Sequence, residues 1–571
     1  MAKLKLSSLF SSSSSSSAPA STAEGETTKD IKKSSRRSFS ALSASLLGSK
    51  DAEATNGTSA AASFKSATPS VAPGPAAAAP ATTSEMIALA QKITKETEKL
   101  EAYMKEHDLP MPSFDADAPA DFPKLPDEIA QSRKAIISAT KELGLLAHGP
   151  RESVRWGIWE FLDTLALAAI NHYRIAKLVP LDGTPISLAS LQALTPLDPI
   201  NLARLVRLAI TNKIFYEPTP GHIAHTAASK VLAEDTDLQA WVGFNGEDIL
   251  PASAHVLQAL QAHPEATSLT RTGFQFAFNT VDKEPMFVTF GKDPNRAKRM
   301  GKAMVSLTGG EGYEPSYFLD VEKGGYDFSE IDARGGTLVD VGGSHGFMCV
   351  ALAEKYRNMR FVVQDLQRTV DSAPKPISAD PQVAERITLL AHDFFTEQVT
   401  KDADVYFFRW IMHNYSTPYA LQILRNLIPA LKPGARIVIN DHCLYEGSGQ
   451  EDLWDEKVMR RMDVVMLSLL NAQERTESEF RELFAKATGE GQQQQEVKGE
   501  FVFKGVTRPK GCRMSIVEAV WQLKEEKEEQ RQPAAVTEVK GEEGETTPAT
   551  VAAAPTADTK EDEPKTEEKA E

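Results

Sequence analysis

Residues Gly335 to Leu366 read GGTLVDVGGSHGFMCVALAEKYRNMRFVVQDL, and no other stretch of the chain restricts the fold as tightly. Leu338-Val339-Asp340-Val341 is a short apolar run of the kind a buried parallel strand requires. Gly342, Gly343 and Gly346 follow at once, then a helix-like segment from Phe347 to Tyr356. A second apolar run, Phe361-Val362-Val363, ends in Asp365 with Leu366 beside it. The order is strand, tight glycine turn, helix, strand, with an acid at the tip of the second strand. Glycines in such a turn let the backbone approach a ligand closely, and a carboxylate about 20 residues on accepts hydrogen bonds from a ribose diol.

The ligand need not be a dinucleotide. A pyrophosphate-binding turn reads GxGxxG, whereas here Asp340 precedes a GGSHG turn. An acid at the strand tip suits a cationic or hydroxyl-bearing ligand better than a phosphate. S-adenosylmethionine, with a sulfonium, an ammonium and a ribose but no phosphate, fits that chemistry. A βα turn with no ligand at all is the competing reading.

The length of 571 residues allows two or three domains, but part of the chain offers little to bury. Residues 1–82 are rich in Ser, Ala, Thr and Pro, and 524–571 are rich in Glu, Lys, Pro and Ala; both read as disordered tails. The formal net charge is −16, and half of it arises from Lys524 onward, where 15 acidic residues face 7 basic ones. The acidity is therefore largely a tail property and reads as a solvated spacer. Cys349, Cys443 and Cys512 have no metal spacing, which argues for a reducing compartment and against a disulfide framework. No apolar run reaches membrane-spanning length, and the cytoplasm is the expected location. Lys3, Lys5 and many serines before the first acid, Glu24, leave a transit peptide as the alternative; the lack of arginine before Arg36 speaks against it.

Between the tails, 83–150 reads as a helical extension: Met86–His107 and Ile129–Leu146 carry helical periodicity, separated by a Pro-rich stretch from Leu109 to Pro126. In 151–240 the helical patterns are Trp156–Ile175, Leu188–Leu194 and Pro199–Ile210. A hairpin of Lys213–Tyr216 and His222–Ala224 follows them around Pro218-Thr219-Pro220-Gly221. Three helices and a hairpin make a winged-helix arrangement. Its third helix has only Arg204 and Arg207, too little for phosphate binding, so a dimerisation or lid module is expected rather than a nucleic-acid reader. Residues 241–330 are helical with many large apolar groups, mostly core, some of them able to line a pocket for a flat aromatic molecule. From 331 to 523 strands and helices alternate, the signature of a doubly wound, mainly parallel α/β sheet. Phe501–Val506 and Met514–Gln522 close it as a final pair, after an exposed glutamine loop at 489–495.

Taken in order, VDVGGSHG, FVVQDL, HDFF, FFRWIMHNYS, LKPGARIVINDHCLYE and NAQERTESEF resemble the S-adenosylmethionine-dependent O-methyltransferases of the caffeate/hydroxyindole type, and most closely the fungal branch that methylates phenolic secondary metabolites. The resemblance spans about Val154 to Gln522. It implies a Rossmann-like methyltransferase domain after a winged-helix dimerisation domain, a homodimer, and a small aromatic substrate bearing a hydroxyl. It also implies that Asp340, Gly342, Gly343 and Gly346 lie under the cofactor's methionyl part, and that Asp365, beside Leu366, holds the ribose. Asp393 and Phe394 fall where the family contacts adenine, and Arg409 where a basic residue stands beside the cofactor. His413 occupies the position of the catalytic base and Glu474 that of the carboxylate orienting it. Asp441 matches a second flanking acid, although His442 beside it leaves the register open. Where the family often has Asp after its base, this chain has Asn414.

The chemistry makes independent sense of these residue types. Methyl transfer from a sulfonium is an in-line displacement, so the protein mainly aligns acceptor oxygen, methyl and sulfur. A phenol, with a pKa of about 10, becomes a good nucleophile only when its proton leaves, and an imidazole takes that proton near neutral pH. A carboxylate on the other ring nitrogen fixes the tautomer. No ligand cluster for a metal is visible. Each residue also has a plain structural reading: His413 as a satisfied histidine, Asp441 as a strand-end acid, and Glu474 as a helix-capping group ahead of Thr476, itself a plausible N-cap with Glu479 three residues on. Phe287, Met304, Trp410, Met412, Met462 and Met466 are the pocket candidates, with core packing as the alternative. Two other functions compete: a catalytically silent scaffold that binds partners, and a nicotinamide-dependent dehydrogenase, which the GGSHG turn disfavours.

Overall fold

The computed structural model describes residues 83–489 and 499–524. The N-terminal segment 1–82 with its alternative as a transit peptide, most of the glutamine loop, and the acidic tail after Lys524 lie outside the described residues.

Ser84 caps the first helix, Glu85–Glu106, its hydroxyl accepting from the Ile87 N–H, and the helix buries Leu89, Leu100 and Met104. The next helix, expected over 129–146, runs Asp127–Gly157 with an interruption at Gly149, whose φ is 73°. Pro150 explains the break: proline starts a helical segment readily but cannot continue one. The apolar helix expected from Trp156 to Ile175 likewise splits, resuming as Glu160–His172. Helix Pro199–Thr211 starts on Asp198, whose Oδ1 accepts from the Ile200 N–H at 2.9 Å.

A small antiparallel sheet stands beside these helices in the order β1–β3–β2, from Ile186–Ser187 (β1), Tyr216–Thr219 (β2) and His222–Ala224 (β3). The first hairpin strand starts at Tyr216 and not at Lys213. Lys213 and Phe215 have φ values of 61° and 78°, left-handed conformations that cannot continue a strand. The burial of the Phe215 ring holds that turn in place.

The large sheet comprises Thr337–Val341 (β4), Arg360–Asp365 (β5), Ile387–Ala391 (β6), Val405–Arg409 (β7) and Arg436–Asp441 (β8). Two short pieces, Cys443–Leu444 (β9) and Arg475–Thr476 (β10), pair in parallel outside it. Gly499–Thr507 (β11) and Ser515–Leu523 (β12) complete the order β11–β12–β8–β7–β4–β5–β6. β4 to β8 run parallel, and β12 is antiparallel to both β8 and β11. Side chains alternate between two cores. Val339, Val341, Tyr406, Phe408, Ile437 and Ile439 enter one; Leu338, Phe361, Val363, Val405, Phe407 and Val438 enter the other. A strand buried on both faces needs a near-continuous apolar run, which is what the sequence has at β7 and, apart from Asp340, at β4.

This order places the site. From β4 the chain builds outward through β5 and β6, then returns to the other side of β4 with β7 and β8. The loops after β4 and β7 therefore leave in opposite directions, and a crevice opens above the carboxyl ends of these two neighbouring strands. Among the described residues no helix is long and apolar enough to cross a membrane.

Candidate active site

The β4 edge of the crevice is the glycine turn. The N–H groups of Gly342 and Gly343 both donate to the Gln364 carbonyl, at 2.8 and 3.0 Å. Gly342 has φ of 78°, and a Cβ there would stand 2.6 Å from Ile411 Cδ1. At Gly343 a Cβ would fall 2.4 Å from Asp340 Oδ2. Asp340 is buried and accepts from Cys349 Sγ at 3.3 Å; burial pushes its carboxyl up to about 7. Asp365, at the end of β5, accepts from the Ser344 N–H at 2.9 Å through Oδ2 and from the Leu366 N–H at 2.8 Å through Oδ1. Leu366 itself is exposed. Past β6, Phe394 comes back over the turn, with Cε1 3.5 Å from where a Gly342 Cβ would sit. Its ring meets Tyr415 edge-on, while Asp393 is exposed and caps the Phe395 N–H at 2.9 Å.

The β7 edge carries the histidine. Trp410 turns the chain out of the sheet with φ of 57°, and a 3-10 turn, Met412–Asn414, follows. Asn414 Nδ2 closes that turn onto the Trp410 carbonyl at 2.7 Å, a donation an aspartate could not make. His413 is buried, with Nδ1 2.8 Å from Glu474 Oε1. Glu474 is buried too, and His413 and His442 together outweigh its desolvation, holding its carboxyl well below the ordinary range. A carboxylate only accepts, so Nδ1 carries the proton and Nε2 presents a lone pair. Burial opposes the His413 cation, but the Glu474 charge prevails and raises its affinity for a proton.

Asp441 meets the backbone of His413 and not its ring: Oδ2 accepts from the His413 N–H at 3.0 Å. Burial, then the Glu474 charge, raises the Asp441 carboxyl. His442 is the ring that reaches Glu474, with Nδ1 3.2 Å from the same Oε1. Arg475 is buried and donates to the Met412 carbonyl at 2.7 Å and to the Tyr415 carbonyl at 2.6 Å, clamping the histidine turn from beneath. Thr476 and Glu479 form a reciprocal capping box on helix Glu477–Thr488, which leaves Glu474 out of the cap and available to the histidines.

The Trp410 ring stands 4.9 Å from His413, 5.1 Å from His442 and 5.6 Å from Tyr313, centre to centre. Arg409 is buried, its guanidinium bonded to Asn440 and to the Tyr313 carbonyl, and burial pushes it down to about 10. Six of the nine buried side-chain polar atoms without a hydrogen-bond partner among the described residues belong to this cluster: Tyr313 Oη, Arg409 Nε, Trp410 Nε1, Asp441 Oδ1, His442 Nε2 and Glu474 Oε2. Such atoms are rare in folded chains, and their concentration here makes this polar cluster the candidate site.

The pocket candidates separate by depth. Met412 and Met466 belong to the main core, Met304 and Met462 pack half-buried against it, and Phe287 is exposed while its neighbours Met286 and Phe290 point inward. Sequence reasoning missed the parts of His442 and Arg475, whose contacts need the three-dimensional approach of β8 and β10. Among the described residues no group of His, Cys, Asp and Glu is arranged to hold a metal ion.

Residues 325–489 match the model of the O-methyltransferase domain family. A chlorophenol O-methyltransferase of Trichoderma longibrachiatum is 58% identical over 438 residues, 77% of this chain and 90% of that protein. The grayanic acid biosynthesis cluster O-methyltransferase of Cladonia grayi is 34% identical over 77% of this chain and 88% of its own length. Among solved structures, OxaC shares the fold at a TM-score of 0.58 and 21% identity, over 76% of this chain and 99% of that one.

Proposed function

We propose that this chain, which belongs to the S-adenosylmethionine-dependent O-methyltransferases, methylates the hydroxyl of a small phenolic secondary metabolite with His413 as general base. One observation carries the proposal: the buried His413 imidazole, oriented at 2.8 Å by Glu474, stands two residues from Ile411, which touches the glycine turn.

The residues fit the cofactor. Gly342 and Gly343 form a tight turn with no room for a Cβ, which would run into Ile411 or the Asp340 carboxylate, and Asp365 keeps lone pairs beyond those used by Ser344 and Leu366. Gly346 begins the helix behind the turn, Asp340 and Arg409 lie deeper, and Asp393 and Phe394 form the rim. S-adenosylmethionine supplies, when bound, an electrophilic methyl group on a sulfonium.

The protein's own part is alignment and proton removal. His413 Nε2 accepts the phenolic proton as the oxygen gains its methyl, and Glu474 holds the resulting imidazolium in place. The Trp410 ring, 4.9 Å from that imidazole, supports a flat acceptor there, with the half-buried Met304 and Met462 as further candidates for the pocket wall. General-base help of this kind is worth about 10²–10⁴-fold. The name of the 58%-identical relative supports chlorinated phenols as first acceptors.

The test incubates the full chain with labelled S-adenosylmethionine and a panel of simple and chlorinated phenols. Methyl ethers are expected from the native protein, with His413→Ala slower by at least about a hundredfold. A His413→Ala protein as fast as the native one overturns the base assignment. The exposed large apolar side chains of Val154, Trp156, Ile158, Trp159 and Phe161, close together in sequence, support a second copy of the chain as partner.

A further inference from the structure

Two imidazoles converge on one carboxylate oxygen. Glu474 Oε1 lies 2.8 Å from Nδ1 of His413 and 3.2 Å from Nδ1 of His442, and both rings are buried. A carboxylate oriented by a single histidine would need only the first. His442 has no exposed surface, its Nε2 has no hydrogen-bond partner among the described residues, and its ring is held edge-on by Trp410 and tilted against Tyr313. The same Trp410 ring lies against His413, so the two histidines share a wall as well as an acceptor.

We propose that His442 is a positioning residue for methyl transfer: by donating to Glu474 Oε1 it takes up part of that oxygen's negative charge and thereby limits how tightly His413 holds a proton. The proposal rests on the reading of His413 as the base. Its physics is competition for one acceptor. A carboxylate oxygen with one donor polarises that donor fully; a second donor draws on the same lone-pair density and weakens the first bond. A base that holds its proton too tightly stays protonated at neutral pH and is lost to catalysis, so a second donor keeps His413 available. The charged and titratable groups facing this pair are Glu474 and Arg475 from the β10 segment, Asp441 from the end of β8, Tyr313 from the helical region before the sheet, and Asp463 from helix Leu453–Leu470, whose Oδ1 accepts from the Glu474 N–H at 2.9 Å. None of the others donates to Glu474 Oε1.

The experiment measures kcat/KM against pH for the native chain, His442→Leu, His442→Asn and His413→Ala, with cofactor affinity by calorimetry on each. Leucine removes the donor. Asparagine keeps an N–H near the Nδ1 position. In His442→Leu the acid limb is expected to move up by about one pH unit, a tenfold loss below the limb, with the high-pH plateau and cofactor affinity held. In His442→Asn the limb returns to the native position. A native limb in His442→Leu overturns the proposal, and so does an equal displacement in both variants, which would make the effect one of packing. If His442→Leu does not fold, His442→Gln serves, its amide being displaced from the Nδ1 position: a limb moved upward supports the proposal and an unmoved one overturns it. The His413→Ala rate separates the two readings. Full activity there removes the base itself, whereas a slow His413→Ala beside an unshifted His442→Leu removes only the role of His442.

Discussion

Replacing Glu474 by glutamine isolates the electrostatic part of the dyad, because the shape stays and one charge goes. In the native chain Glu474 Oε1 sits 2.8 Å from His413 Nδ1. With about 4 Å between charge centres and an effective dielectric constant near 20, the attraction between an imidazolium and this carboxylate is about 4 kcal/mol. The amide oxygen keeps a neutral hydrogen bond worth about 1 kcal/mol, so about 3 kcal/mol of support for the protonated His413 is lost. That is about two powers of ten in kcat. The pH profile supplies a second signature with an opposite direction. In the native site burial disfavours the His413 cation and Glu474 reverses that, leaving its proton affinity above the ordinary imidazole value. The acid limb of kcat/KM is therefore expected above pH about 6.5 in the native enzyme and below it in Glu474→Gln, where burial acts unopposed. A slower enzyme whose limb moves to lower pH is hard to produce by unfolding or misplacement. The assay is initial-rate transfer of labelled methyl from pH 5 to 9, with thermal unfolding as the control for the amide hydrogens that replace unpartnered Oε2. A native limb at native rate would refute the charge argument.

Three other outcomes follow from the same geometry. Gly343→Ala places a methyl 2.4 Å from the Asp340 carboxylate and should weaken S-adenosylmethionine binding at least tenfold by calorimetry, as well as destabilising the fold by about 1–3 kcal/mol; unchanged affinity would remove the turn from the cofactor site. Arg475→Met strands the Met412 and Tyr415 carbonyls, so denaturant unfolding should show a loss of about 3–5 kcal/mol, with kcat falling as the histidine turn loosens. Charging the exposed apolar segment with Ile158→Asp and Trp159→Asp should leave a monomer in light scattering if that face carries the second copy, and an unaltered mass would place the interface elsewhere.

What could be read from the residues follows the range of the forces involved. The strand–glycine–helix–strand unit was legible because its causes are local: short, largely apolar buried strands at β4 and β5, a turn that a Cβ would block, an acid at a strand end. The capping box at Thr476 and Glu479 was legible for the same reason, being a contact three residues long. The start of β2 was not, because Lys213 and Phe215 take left-handed conformations held only by burial of the Phe215 ring. A helix end near Leu146 is legible from Gly149-Pro150, but the immediate restart through Pro150 to Gly157 is not. The division of labour among the acids lay beyond local reasoning altogether. Asp441 looks like a second ring-orienting carboxylate until the fold directs it to the His413 backbone.

That redirection explains why the site is built from three separated segments. β8 ends at Asp441, which pins the backbone of the histidine turn, and the next residue, His442, turns its ring the other way to Glu474. Successive side chains on a strand end point to opposite sides, so one strand end fixes both the position of His413 and the charge behind it. The β9–β10 pairing then locks Cys443 to Arg475, which sets Glu474 and His442 within reach of one another. A shift of one residue in that pairing would swing Glu474 away and leave both imidazoles buried without an acceptor, at a cost of about 1–3 kcal/mol each. The register of two short strands is thus coupled to the basicity of His413, and disrupting it should be read first in the pH profile and only then in the melting temperature.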